Sequence, residues 1–332
     1  MTRYVVIGAG AVGATVAAQL HLAGGSSVLV ARGAHLAALR EGGLRYVRPE
    51  GTTTVRVPVV GGPDELDLTG DDVLVVATKA QDVESVLAAW AWRPVVGHDG
   101  PAAAVLTVVL LQNGLDSERV ALRRFATVFG AVTWSATSHL APGEVVSPSS
   151  PIASVFWVGA YPSGTHPALD ALAADFTAAH LAVQVVPDIA RWKAGKLLAI
   201  LPNALTAVYA PSPARDAVAE ALRAEARAVF DLVGQPVADF RAESTVDLAG
   251  FTALPIPSKE RPGSSTWQSV ARGAPVESDF LNGEVVLLAR LHGGSAPLNE
   301  AVLRRVHRAV AEGVPAGSLG DDDLALLLPV HV

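Results

Sequence analysis

Short, unbroken apolar runs alternate with helical stretches through the first half of the chain. Residues 4–7, 27–31, 73–77 and 105–111 read as strands, and 11–21, 35–41, 81–90 and 117–125 as helices. The strand runs are continuously Val- and Leu-rich instead of alternating apolar with polar, the pattern of strands covered on both faces in a parallel sheet. Between Gly42 and Pro63 the pattern changes, because residues 44–47 and 54–57 flank Pro49-Glu50-Gly51 as in a hairpin. Strands at 128–135, 154–159 and 182–186 and a helix at 168–180 complete this half. From Asp188 the strand signal stops. Residues 188–210, 213–233, 279–292 and 299–312 carry a helical period, and 249–264 are rich in Pro, Gly and Ser. A β/α half followed by a helical half predicts two domains, 1–187 and 188–332. Asp321-Asp322-Asp323 is expected to cap a short final helix.

The first strand runs directly into Gly8-Ala9-Gly10-Ala11-Val12-Gly13 and then into an alanine-rich helix, with a second strand at the βαβ interval. In that setting the spacing has a mechanical reading. Gly8 allows a tight turn, Gly10 lets backbone approach a pyrophosphate, and Gly13 lets helix pack closely on strand. The helix N-terminus supplies the positive end of a dipole for the phosphates. The fold class is therefore α/β, a Rossmann-type N-terminal domain with a mostly parallel sheet followed by an all-helical domain. An NAD site would carry an acid about 20 residues further on, for the ribose 2′-hydroxyl. Here Arg32 stands 19 positions after Gly13, and no acid occurs before Glu41. A guanidinium suits a 2′-phosphate, so the expected cofactor is NADP, as NADPH. Lys79 and Asn113 follow two other strands, at the ends where such sheets present ligands. Taken alone, a lysine there is an ordinary surface residue and Asn113-Gly114 an ordinary turn.

Composition narrows the chemistry. Half of the 332 residues are hydrophobic and 17% are charged, so a large core is available. With no cysteine there is no disulfide, thiolate metal site or cysteine nucleophile. A formal charge of −7 argues against a nucleic-acid partner. The nine histidines form no His-x-x-x-His or His-Glu-x-x-His pair, so no metal site is expected. The apolar stretch after Arg3 is read as the first strand of the nucleotide fold instead of a secretory leader, and no apolar run reaches membrane-spanning length. The expectation is a cytoplasmic protein without a membrane partner, and the sequence leaves open whether it forms a homodimer.

Hydride transfer to a carbonyl leaves an alkoxide that needs a proton, and a protonated lysine can supply it. The chain has four lysines: Lys79, Lys193, Lys196 and Lys259. On a continuous helix Lys196 would share a face with Trp192, Ile200 and Asn203.

Several blocks now resemble the ketopantoate reductase family, in family order along nearly the whole chain. They are Gly8–Gly13, Arg32, Lys79-Ala80, Asn113-Gly114, Lys196-Leu197-Leu198, Asn203–Ala207, Ser264–Gln268 and Glu277–Gly283. The resemblance implies reduction of a small 2-keto acid by NADPH. Lys196 would be the general acid, and Glu277 would orient substrate and lysine, with a place beside the cofactor. Ser265 would contact the substrate carboxylate, Asn113 and Lys79 would lie beside the nicotinamide ribose, and Asn203 would contact substrate. The residues on their own leave other readings open. Ser265-x-x-Gln268 is also a capping box, Glu277 also a first-turn acid favoured by a helix dipole, and Lys193 competes with Lys196. One departure concerns the substrate: Ile200 stands where the family has an Asn that bonds the substrate hydroxyl. Isoleucine cannot hydrogen bond, so the same fold acting on a less polar keto or imine compound is the rival reading, and a non-catalytic NADPH-binding protein a third. Pro202 is expected to disturb the helix that carries these residues. His139, Trp134 and Trp267 are weaker candidates for the site, with surface or packing roles as the alternatives.

Overall fold

The computed structural model describes residues 1–257, 259 and 263–327. Two compact units divide the chain. The first comprises Met1–Gln112, Ser117–Trp192 and the stretch beginning at Phe240. The second comprises Asn113–Asp116, Lys193–Asp239 and the described residues from Gly263 onward. The continuous division expected at 187/188 is therefore replaced by a discontinuous one. Part of the 249–264 segment, and the last five residues of the expected second domain, lie outside the described residues.

In the first unit the main sheet has eight strands: β1 Arg3–Ile7, β2 Ser26–Val30, β3 Val59–Val60, β4 Asp72–Val76, β5 Thr107–Leu110, β6 Thr127–Trp134, β7 Ser154–Ala160 and β8 Leu181–Val185. Their order is β8-β7-β6-β5-β4-β1-β2-β3. All neighbours are parallel except β6 and β7, which are antiparallel. Along β1 the side chains alternate between two cores. Tyr4 and Val6 join one apolar cluster with Leu29, Phe156 and Phe176. Val5 and Ile7 join the other with Leu74, Leu87 and Trp90. Burial on both faces is the reason these strands read as unbroken apolar runs. The expected strand at 105–111 is shorter, because Ala102–Val105 forms a helical turn ahead of β5. The predicted hairpin is present as Leu44–Arg48 paired antiparallel with Gly51–Val55, and Glu144–Val146 adds a parallel third strand.

The helices of this unit include α1 Ala11–Leu22, α2 Gly33–Gly42, α3 Val83–Ala91 and α4 Pro167–Ala178. Strand structure does not end at Asp188. Phe251–Ala253 pairs antiparallel with Ser149–Pro151. Phe240 packs its ring against Trp134, Trp157 and Trp192, which accounts physically for the return of this segment to the first unit. A three-residue strand set by its partner leaves almost no periodic signal in sequence.

The second unit is helical: α5 Ile189–Ile200, whose first four residues belong to the first unit, α6 Asn203–Val208, α7 Pro213–Val233, α8 Ser265–Ala271, α9 Asn282–Leu291 and α10 Pro297–Ala311. The single helix expected over 188–210 breaks after Ile200, since Pro202 has no N–H for the ladder, and α6 restarts at Asn203. Asn203 therefore does not share a continuous helix face with Lys196. Helix α7 begins on Ser212, whose hydroxyl accepts from Arg215 N, has Pro213 in its first turn, and ends at the left-handed Gly234. The final turn Asp321–Leu324 forms as expected. Asp323 additionally accepts from Tyr209 and from both forks of Arg305.

Candidate active site

The chain turns from β1 to β2 and β3 on one side and returns to β4 on the other, so β1 and β4 meet where the strand order reverses. Ligand crevices in open α/β sheets form at the carboxyl ends of such strands. The glycine loop lies there. Gly8 has φ +110°, and a Cβ on it would come within 2.8 Å of Thr78 N. A Cβ on Gly13 would lie 2.0 Å from the Gly8 carbonyl oxygen and 2.8 Å from the Ala77 Cβ. Both positions exclude every side chain for internal reasons. Gly10 differs, because a Cβ there would meet nothing within 4 Å. The space beside Gly10 belongs to a cleft, next to the start of α1, which has no side-chain cap and no acid in its first turn. Uncapped N–H groups at the end of a helix are donors for an anion. Thr78 also borders the cleft, and its hydroxyl is buried without a hydrogen-bond partner. This cradle fits a pyrophosphate.

The cleft encloses ≈ 370 Å³ and is bordered by Gly8, Ala9 and Gly10, by Arg32 and His35 after β2, and by Thr78, Lys79 and Asp82 after β4. Val86, Ala89 and Trp90 of α3 form an apolar wall. The structure thus brings Arg32 and Lys79 to the glycine loop. The Arg32 side chain is 75% exposed and reaches Asp82 Oδ2 at 3.4 Å.

Two histidines complete this site. His35 carried no sequence signal, and His139 had only a weak one. The Gly143 N–H donates to His35 Nδ1 at 2.8 Å, so Nε2 carries the ring proton and donates to the Ala9 carbonyl at 2.9 Å. His35 thereby ties the glycine loop to the turn before Glu144. Burial, with the neighbouring His139, depresses its pKa to about 4. The His139 ring lies 4.3 Å from that of His35, and its Nδ1 donates to the Glu144 carbonyl. Lys259, one of the four lysines, forms an ion pair with Glu144.

In the second unit the stretches carrying Asn113, Lys196 and Glu277 meet at one apolar cluster, while the helices that carry Asn203 and Ser265 pack with another. Leu115, two residues after Asn113, packs with Leu197 and Ile200 of α5 and with Leu281. Gly114, at φ +86°, approaches the Phe280 carbonyl so closely that a Cβ would sit 2.5 Å from it. The Asn113 turn, the Lys196 helix and the Glu277 block are thereby assembled side by side. Ile200 is 8% exposed within this cluster. Lys193 is 3% exposed, whereas Lys196, one turn before Ile200, is half-buried.

Glu277 is half-buried ahead of the short 3₁₀ turn Ser278–Phe280, and α9 starts only at Asn282. Ser265 is not the helix cap. Ser264 takes that role, accepting from Trp267 N at 3.2 Å, so Ser265 is the first helical residue of α8. The Ser264 hydroxyl also meets Thr206 Oγ1 at 3.4 Å, which brings the Ser265 block beside the helix that opens with Asn203. Trp134 packs in the aromatic cluster described above, and Trp267 against the apolar residues of the second unit. Among the described residues no group of three His, Asp or Glu is arranged to hold a metal ion. None of their helices is long and apolar enough to cross a membrane.

Comparison with known proteins gives the same grouping. The family model described as ketopantoate reductase PanE/ApbA matches residues 4–161, and its C-terminal counterpart matches 190–310. A Halobacterium salinarum protein named 2-dehydropantoate 2-reductase is 30% identical over 94% of this chain and 100% of its own length. The crystal structure of a PanE/ApbA family ketopantoate reductase from Ralstonia eutropha superposes with a TM-score of 0.74 at 24% identity, covering 94% of this chain and 99% of that one. A D-mandelate dehydrogenase solved with NADH and anilino(oxo)acetate shares the fold, with a TM-score of 0.76 at 18% identity over 94% and 99% of the two chains. The chain therefore belongs to the ketopantoate reductase family, whose members are oxidoreductases of the CH–OH/C=O couple.

Proposed function

We propose that this protein reduces the keto group of a small 2-keto acid, as its relatives named 2-dehydropantoate 2-reductase do by name, with NADPH as the reductant. The observation that carries the reading is the cleft at the β1/β4 crossover, where Arg32 and Lys79 border the same space as the glycine loop. Bound NADPH supplies the hydride. The uncapped N-terminus of α1 and the backbone from Gly8 through Ala9, Gly10, Ala11 and Val12 to Gly13 hold the pyrophosphate. Arg32 would hold the 2′-phosphate, whose charge and oxygens suit a guanidinium. Lys196 gives its proton to the oxygen that becomes an alkoxide, and a half-buried ammonium is accessible for that step. Glu277 orients the lysine and the substrate. Ser265, released from a capping role, offers its hydroxyl to the substrate carboxylate. Asn113 and Asn203 would serve as polar contacts at the substrate, and Asn113 and Lys79 would also help hold the cofactor.

Ile200 supports a second reading. Its burial among Leu115, Leu197 and Leu281 gives the site no polar partner at that place, which favours a keto acid with an apolar substituent. One experiment separates the two: the purified protein is incubated with NADPH and either ketopantoate or keto acids of apolar side group, and cofactor oxidation is followed. Turnover of ketopantoate is the expected result. Turnover restricted to the apolar keto acids would replace it with the second reading, and no oxidation with any keto acid would overturn both.

A further inference from the structure

Arg32 is not alone at the place where NADPH and NADH differ. Asp82 borders the same cleft from the opposite wall, as the last residue of the short turn after Lys79 and the residue from which α3 starts. Its Oδ2 stands 3.4 Å from the Arg32 guanidinium, and its side chain is 41% exposed, facing solvent as well as the cleft. An ion pair this exposed contributes little to stability, so folding does not explain why a carboxylate should stand there. Its effect on a ligand is larger. Whatever phosphate engages Arg32 bidentately must approach to hydrogen-bond distance of a guanidinium already in contact with Asp82. A dianionic 2′-phosphate is then attracted by Arg32 and repelled by Asp82, whereas a ribose hydroxyl is a neutral donor that a carboxylate accepts.

The geometry points to Asp82 as a specificity-determining residue that works against Arg32: it weakens NADPH binding and narrows the preference of the site for NADPH over NADH. This inference rests on the 2′-phosphate reading of Arg32 above. The other groups bordering this end of the cleft are Lys79, whose positive charge favours both cofactors' phosphates, and the hydroxyl of Ser85, which donates to the Asp82 carbonyl at 2.9 Å and leaves the carboxylate to the cleft. Removing the charge of Asp82 while keeping its shape should therefore favour the phosphorylated cofactor selectively.

Calorimetric titration of the full-length protein with NADPH and with NADH tests this without any need for turnover. Asp82→Asn is expected to tighten NADPH about threefold to tenfold, with NADH unchanged or weaker, as one charge removed at close range across partly wet space predicts. The gain is expected to shrink at high salt, since exposed charges are screened within about 3 Å at 1 M. The rise in the NADPH/NADH ratio is also expected in an Arg32→Ala background, because the repulsion acts on the phosphate itself. An unchanged ratio, an equal change for both cofactors, or weaker NADPH binding in Asp82→Asn would each overturn the inference. Arg32→Ala alone separates the two levels. If it lowers NADPH affinity and spares NADH while Asp82→Asn does nothing, only the role of Asp82 fails. If Arg32→Ala leaves the ratio untouched, the 2′-phosphate reading falls and Asp82 falls with it.

Discussion

The glycine-loop cleft and the lysine-bearing helical unit reach their geometry by different means. In the cleft, backbone is pressed against backbone. Gly8 and Gly13 have no room for a Cβ, and Gly13 already lies in the first turn of α1. In the helical unit, side chains are held by an apolar cluster in which Leu115, Leu197, Ile200 and Leu281 meet from three separate stretches of chain. Steric exclusion of every residue but one type leaves a mark at a fixed spacing. Assembly by apolar packing leaves none, because many apolar residues fill such a cluster nearly as well. The glycine loop is thus written locally, and the apolar cluster of the helical unit is written in contacts.

That contrast can be broken at several points. The largest effect is expected in the helical unit. Lys196→Ala should lower kcat by about 10²–10⁴-fold, the usual weight of a positioned general acid, with NADPH affinity nearly unaltered. Lys193→Ala, at the more deeply buried neighbour, should keep kcat within about tenfold of wild type by the same measure, and steady-state kinetics with single-turnover controls would show which lysine is the acid. The reverse outcome would move the acid to Lys193.

Next come the glycines, which differ in why they are glycines. Gly13→Ala places a methyl against the Gly8 carbonyl and should cost on the order of 1–3 kcal/mol of stability, seen as a fall in thermal midpoint with or without cofactor. Gly10→Ala meets open space, so its midpoint without ligand should stay within about 2 °C of wild type, while NADPH stabilises it much less than wild type. If Gly10→Ala were as unstable as Gly13→Ala, the space beside Gly10 would not be a ligand cradle.

The smallest effect concerns the tie between the two histidines and the loop. His35 titrates near 6.5 when unfolded and at about 4 in the folded chain, so the folded state disfavours the charged ring. Its contribution is complete above pH 6.5. It declines as pH falls from 6.5 toward 4, because the unfolded chain takes up the proton first, and it is spent below that. Thermal midpoints of wild type and His35→Ala should consequently differ most at pH 7 to 8 and converge near pH 4. A constant difference across that range would remove His35 as a neutral bridge between Ala9 and Gly143.

Legibility followed the same division. Seven of the eight strands of the main sheet were readable to within a residue or two from their apolar runs, whereas the two-residue edge strand Val59–Val60 was missed, being too short to carry a pattern. The hairpin was readable because Pro-Glu-Gly interrupts two β-rich runs. The break at Pro202 was readable as a disturbance, although its consequence, the removal of Asn203 from the face of Lys196, needed the helix ends. The capping box at Ser265 was misread by one residue, since Ser264 and Ser265 present identical chemistry and only the chain's entry angle selects the cap. His35 had no signal at all. Its partners are a carbonyl 26 residues upstream and an N–H 108 residues downstream, and backbone partners carry no residue identity. The return of the Phe240 segment depended on three tryptophans scattered over 58 positions.

By itself, the sequence determined the α/β order, the glycine loop, the absence of thiol chemistry and the positive charge after β2, because each depends on local backbone demands or on composition. Only the tertiary structure decided that Asp82 faces Arg32, that His35 holds the loop, and that Ile200 sits in a shared apolar cluster with Leu115 and Leu281. Those facts are distances between parts of the chain that no local period relates, and they arise where folding brings unlike segments into one small volume.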